Sequence, residues 1–311
     1  MQKSAPRKSF FHVPMLAQPR PFGHRLFVVR FGFGLALCIT ALAAKSDPVR
    51  SVRSQGETAQ MRLIAAAGGP SNYQVAAEIR LPPTAITYWR EPGDAGAPPK
   101  FSVSGSENVT KADILFPAPQ RIDEQGIEAF GYRGGVVFPI HVAARDLSQP
   151  VRLRLTINYA VCDNICLPEE SSAELVLPEG PQQPNATITA AEAKVPVALS
   201  AETVAANISI MPDKMATDPT WLLAWKGEPA ASDLFAEAPE GWAFETHRRP
   251  DGLFSIVAVE EPPSGAPARV LVRLTLTGTK AYDFTTLLDV PGKARPISTG
   301  EETTQAAPGT K

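Results

Sequence analysis

The chain of 311 residues carries 30 basic and 32 acidic side chains, 31 prolines and three cysteines. That length suits two domains better than one, and the acidic balance argues against a nucleic-acid partner, which needs a cationic face. The charge becomes more negative once the N-terminus is read as a leader. Residues 1–43 hold six of the basic residues and no acid, so the remaining 268 residues stand near −8.

Residues 1–30 are basic, and "FGFGLALCITALAA" follows as an apolar run with Ala41 and Ala43 in an A-x-A pattern. This is the layout of an export signal cut near Ala43. Arg30 interrupts the apolar stretch, which falls short of the roughly 20 residues of a spanning helix. Export out of the cytoplasm is therefore expected, with no stable membrane insertion after cleavage. Cys38 leaves with the leader. Cys162 and Cys166 remain, an even count in a compartment where disulfides persist.

After a flexible segment at 44–58, short apolar alternations punctuated by Pro and Gly run from 59 to 180. Among them are "YQVAAEIRL", "ITYWRE", "GGVVFPIHV" and "VRLRLTINY". Such alternation predicts antiparallel strands in a two-sheet sandwich. Residues 181–200 read as a Pro/Ala-rich linker with a helical turn or two near Thr189–Lys194. A second β domain is expected over 201–292, from "TWLLAWKG", "LFSIVAVEE" and "ARVLVRLTLTG", and a disordered tail over 293–311. The fold class is all-β, with two immunoglobulin-like sandwiches. The segments "RLRLT" at 152–156 and "LVRLT" at 271–275 match at an offset of 119, which sets Cys162 against Ala281 and Cys166 against Thr285. If the halves are duplicates, the second lacks thiols.

Three chemistries fit a Cys-x3-Cys pair. A structural zinc site needs four ligands, and only His141 and His247 remain after the leader; His141 reads as a solvated strand residue. A copper carrier needs a third ligand, and His247 would have to reach the pair from the other domain. A purely structural bridge encloses too few residues to stabilise much, in a chain large enough to bury a core without it. Short pairs at exposed turns are the kind that exchange with other thiols. No cofactor is expected.

Four segments in order, "ITYWREPGDAGAPPKFSVSGSENV", "ILFPAPQR", "GYRGGVVFPIHV" and "LRLTINYAVCDNICLPEE", resemble the N-terminal periplasmic domain of the thiol:disulfide interchange protein DsbD and of related suppressor-of-copper-sensitivity proteins. The resemblance implies a redox pair at Cys162 and Cys166, preceded by Tyr159. It also implies a cap loop with a shielding aromatic, which falls on "RIDEQGIEAFGY". Phe130 is the candidate shield, beside Tyr132 and the acids Asp123, Glu124 and Glu128. Acids at 163, 169 and 170, if near the sulfurs, would disfavour thiolates, and Asp163 joins the candidate environment. The implied partners are periplasmic thioredoxin-like or disulfide isomerase proteins, with a link to cytochrome c biogenesis. The sequence holds neither a transmembrane electron carrier nor a Cys-x-x-Cys domain, so an electron source in trans, such as a membrane electron-transfer protein, is expected. The implied activity is that of a protein-disulfide reductase-type oxidoreductase. A non-enzymatic adaptor with a structural disulfide and a copper carrier stand as alternatives.

Overall fold

The computed structural model describes residues 54–55, 59–66, 73–177, 184–262, 265 and 267–291. The expected leader, most of the segment at 44–58 and the expected tail lie outside the described residues.

The first half runs β1 Ser54–Gln55, β2 Gln60–Ala65, β3 Tyr73–Arg80, β4 Ile86–Gly93, β5 Lys100–Ser102 and β6 Val109–Ile114. It continues with β7 Gln120–Glu124, β8 Ile127–Arg133, β9 Gly135–Ala144, β10 Val151–Cys162 and β11 Cys166–Leu177. One sheet has the order β1-β2-β3-β9-β6; the other is β11-β10-β4-β8-β7, with β5 added on β10. The alternation in β10 shows why they face each other. Val151, Leu153, Leu155, Ile157, Tyr159 and Val161 point into the core, while Arg154 and Asn158 point out. They meet Val75, Ile79, Phe138 and Ile140 of the opposite sheet, and Trp89 closes one end of the core.

Residues 121–132, where the cap is expected, form most of the β7–β8 hairpin. Glu124 pairs with Ile127 across Gln125 and Gly126. Both of these turn residues have positive φ, as a two-residue hairpin turn needs. Asp123 Oδ1 accepts from Gly126 N at 2.7 Å. The charged residues hide the strand signal, because only Ile122 and Ala129 mark its apolar face.

Between the sandwiches stands α1 Ala186–Glu192, capped by the Asn185 side chain, which accepts from Thr187 N and Ile188 N. The segment is not a free tether. Ile188 packs on Ala66 and Ala76, and Glu192 meets His141 Nε2 at 2.9 Å and Gln74 Nε2 at 3.3 Å. His141, expected to be solvated, is thus a partly buried anchor for α1. Beyond it, β12 Val197–Ala198 runs parallel to a later strand and α2 Ala201–Asn207 follows.

The second half contains β13 Ile208–Pro212, β14 Thr220–Trp225, β15 Ala231–Glu237 and β16 Ala243–Arg248, then β17 Phe254–Glu260, β18 Arg269–Gly278 and β19 Tyr282–Asp289. Its sheets are β12-β19-β18-β15 and β13-β14-β17-β16. Trp221, Leu223 and Ile256 of one meet Val272, Leu274 and Leu276 of the other. Trp242 is also buried in this core. The two sandwiches touch where Phe235 of β15 enters the first core against Trp89 and Phe130.

Candidate functional site

The β10–β11 hairpin stays in register along its whole length, from Val151↔Leu177 to Cys162↔Cys166, and turns through Asp163, Asn164 and Ile165. The last pair therefore sits face to face, with Cα atoms 4.0 Å apart, and is joined as a disulfide. The two sulfur-bearing residues have unequal surroundings. Cys162 is buried and Cys166 is exposed.

Cys162 keeps the alternation of β10 and is nevertheless buried, on the outer face of the sheet. Val161 faces the main core, so Cys162 faces the other side of the sheet. There it joins a small apolar cluster of Ile86, Tyr88, Ile122 and Ala129, contributed by β4, β7 and β8. Pairing of Cys162 with Ile86 brings β4 alongside, and Tyr88, two residues on, reaches the sulfurs. Its Oη lies 3.0 Å from Cys162 Sγ and 3.6 Å from Cys166 Sγ, and it donates to Glu124 Oε2 at 2.7 Å. Gly96 folds over the Tyr88 ring so closely that a Cβ there would come within 2.1 Å of it. Only glycine allows this approach.

Glu124, the last residue of β7, covers the outer sulfur, with Oε1 3.2 Å from Cys166 Sγ. A disulfide sulfur bears no hydrogen, so this is a contact in the oxidised protein that becomes a hydrogen bond when Cys166 is a thiol. Burial, reinforced by the Glu124 carboxylate, pushes the Tyr88 hydroxyl well above its ordinary value. It stays protonated at neutral pH and remains a donor.

The sequence-derived environment divides. Asp163 is at the site, where its Oδ2 accepts from Thr84 Oγ1 at 3.2 Å. Tyr159 borders the groove beside Cys166, but its hydroxyl bonds Ser171 at 3.1 Å within the sandwich. Phe130 and Tyr132 belong to the other face of their sheet. Phe130 packs on Phe235 with ring centroids 4.9 Å apart, and the Tyr132 hydroxyl donates to Pro117 O at 2.8 Å. The aromatic group over the sulfurs is Tyr88 rather than Phe130, and it lies inside the "ITYW" segment. The usable signal was a polar-tipped aromatic on the same strand face as Ile86. Of the three acids on the β7–β8 hairpin, Glu124 alone meets the sulfurs; Asp123 holds the turn and Glu128 pairs with Arg121.

Among the described residues, Glu124, Cys162 and Cys166 form the group whose ligand atoms gather within 4.8 Å of one another. Reduced, they offer two soft thiolates and a hard carboxylate, a poorer copper set than thiolates with imidazole. His247, the histidine that the copper reading required, sits on β16 beside Glu245. A groove of about 500 Å³ opens next to Cys166, between Gly96–Pro98 and Leu167–Glu170. Ile165 and Leu167 lie exposed at the same edge.

Residues 56–178 match the family model described as thiol:disulfide interchange protein DsbD, N-terminal, so the resemblance read from the sequence holds over the first sandwich. The fold is similar to the crystal structure of the N-terminal periplasmic domain of ScsB from Proteus mirabilis. That likeness has a TM-score of 0.61 at 21% identity and covers 78% of this chain and 98% of that one. The coverage is more than the first sandwich alone could supply, so the shared architecture extends into the second. No curated protein sequence matches the chain. No helix among the described residues is long and apolar enough to cross a membrane.

Proposed function

We propose that the protein is an exported thiol-disulfide carrier in the periplasm whose first sandwich exchanges the Cys162–Cys166 pair with partner proteins. The observation that carries this reading is the asymmetry of the pair: one sulfur-bearing residue is exposed, and the other is sealed under Tyr88, in a bridge that closes only a short loop. An exchanging pair requires an exposed member, because the attacking thiolate must approach along the S–S axis.

A thiolate of a reduced partner attacks Cys166 Sγ, the S–S bond breaks, and its electron pair leaves on Cys162 Sγ. The Tyr88 hydroxyl, 3.0 Å away, can turn its single O–H from Glu124 to donate a hydrogen bond to that departing thiolate. The partner's second thiolate then attacks its own sulfur in the mixed disulfide and releases Cys166. The domain has gained two electrons and two protons, and the partner has become a disulfide. In the reverse half, Cys166 attacks an acceptor disulfide, and Cys162 resolves the mixed disulfide by re-forming the bridge. The Glu124 carboxylate disfavours a second negative charge beside Cys166. The resting dithiol is thereby kept from reacting until a partner displaces the β7–β8 hairpin.

Thioredoxin-like or isomerase-type periplasmic proteins suit the apolar edge formed by Ile165, Leu167 and the groove. Residues 1–43 would supply export. The test is covalent trapping. Cys162→Ser should accumulate a mixed disulfide through Cys166, and Cys166→Ser should not. The couple's reduction potential should lie above about −300 mV, the upper bound typical of structural bridges. A potential well below that, with no trapped partner in either variant, would return the pair to a structural role.

A further inference from the structure

The β7–β8 hairpin that covers the sulfurs is weakly tied to its own sheet. On the β8 side, pairing with β4 runs from Ile86↔Arg133 to Tyr88↔Gly131, is interrupted, and resumes only at Gly93↔Ala129. On the other side, β7 has β8 as its strand partner among the described residues. Its tip meets the cysteine hairpin through side chains, with Glu124 on Cys166 and Gln125 Nε2 donating to Asn164 O at 3.4 Å.

The firmest hold on β7 comes from the second sandwich. Arg121, three residues before Glu124, reaches β15 with Nε and Nη2 on the two Asp233 carboxylate oxygens at 3.1 and 2.9 Å. Nη2 also donates to Leu234 O at 2.9 Å and Thr246 Oγ1 at 3.0 Å. The guanidinium lies 5.1 Å from the ring centroids of both Phe130 and Phe235, and it also pairs with Glu128 at the root of β8. A bidentate, largely buried arginine of this kind is a strong and directional anchor. Three residues of strand separate it from Glu124, about 10 Å, so fixing one restricts the other.

We propose that the second sandwich, which has no thiol, controls access to the Cys162–Cys166 bridge by holding the β7–β8 hairpin down through Arg121. Arg121 is a positioning residue: it acts on the sulfurs through Glu124 and never touches them. This rests on the exchange reading for its purpose, while the access it describes is measurable without a partner protein.

The test uses the full chain. The rate at which dithiothreitol reduces the bridge is measured alongside amide hydrogen exchange at Gln125–Ile127. The variants are Arg121→Gln, Asp233→Asn and Phe235→Leu, the last two lying in the second sandwich, with thermal unfolding as the check on folding. Asp233→Asn should speed reduction by about tenfold, as loss of a charge-assisted bidentate contact would, and should raise exchange in the hairpin turn. Asp233→Glu should restore both towards the parent. Arg90→Gln breaks another inter-sandwich ion pair, with Glu237, and should leave both unchanged, since that pair does not hold the β7–β8 hairpin. Parental rates in folded Asp233→Asn and Phe235→Leu would overturn the proposal, as would equal acceleration by Arg90→Gln. A parent protein that dithiothreitol reduces but that never trades disulfides with a thioredoxin-type protein would instead overturn the exchange reading.

Discussion

The last hairpin of each sandwich makes the most instructive pair of regions in the molecule. β10 and β18 align at the offset of 119 and bury the same alternate positions, although their partner strands β11 and β19 do not keep that offset. They part at the turn. In the first, a three-residue loop leaves Cys162 directly opposite Cys166. In the second, the ladder stops at Leu276↔Tyr282, Ala281 lies in the turn, and Thr285 faces Arg273. Cysteines at 281 and 285 would not face each other. The first hairpin also projects its final residue into an outer apolar cluster roofed by Tyr88, whereas the outer face of the second carries the Arg273–Asp283 ion pair and exposed Leu271 and Leu287. The lidded disulfide thus depends on a turn length, a reverse-face pocket and a covering hairpin, none of which the second hairpin has.

Substitutions can break or sharpen this contrast. The largest effect is expected from Cys166→Ser, which should abolish disulfide exchange in a coupled assay with a thioredoxin-type reductant, whereas Thr285→Ser should leave it intact. Next, Leu274→Ala, in the core of the second hairpin, should cost about 2–5 kcal/mol in denaturant unfolding without altering the sulfur chemistry of the folded protein. Leu155→Ala should cost a similar amount in the first. Replacing both Cys162 and Cys166 by Ala should cost about 2 kcal/mol or less, since the chain-entropy gain for so short a loop is small. A larger loss would reveal a structural staple. Glu124→Gln removes a negative charge beside Cys166, so the thiolate is favoured, and alkylation of the reduced protein near pH 7 should accelerate by about tenfold. An unchanged rate would show that Glu124 only covers the sulfur. Thr84→Ala, which frees Asp163, should shift stability by about 0.5 kcal/mol or less, as expected at an exposed site.

Alternation makes most of the strands legible, and the cysteine spacing makes the Cys162–Cys166 disulfide legible. The β7–β8 hairpin is harder to read as strands, because Arg121, Asp123, Glu124 and Glu128 surround the two residues of its outer apolar face, Ile122 and Ala129, and those charges serve as anchors and lid. Phe130 was a reasonable shield by position in the chain, but strand alternation places it on the face that meets Phe235. Tyr88 is not legible as a site residue, because an aromatic residue within an apolar run reads as core, and it is in fact buried.

The sequence by itself determined an all-β chain and a close pair of cysteines at a hairpin end, because strand periodicity and turn length are local properties. Only the tertiary structure decided what surrounds the sulfurs. Tyr88 is 74 residues from Cys162 and 36 from Glu124, and Arg121 finds Asp233 112 residues away. Such meetings depend on which strands become neighbours and which sandwich docks against which, a choice made by burial of the whole apolar surface rather than by any one segment.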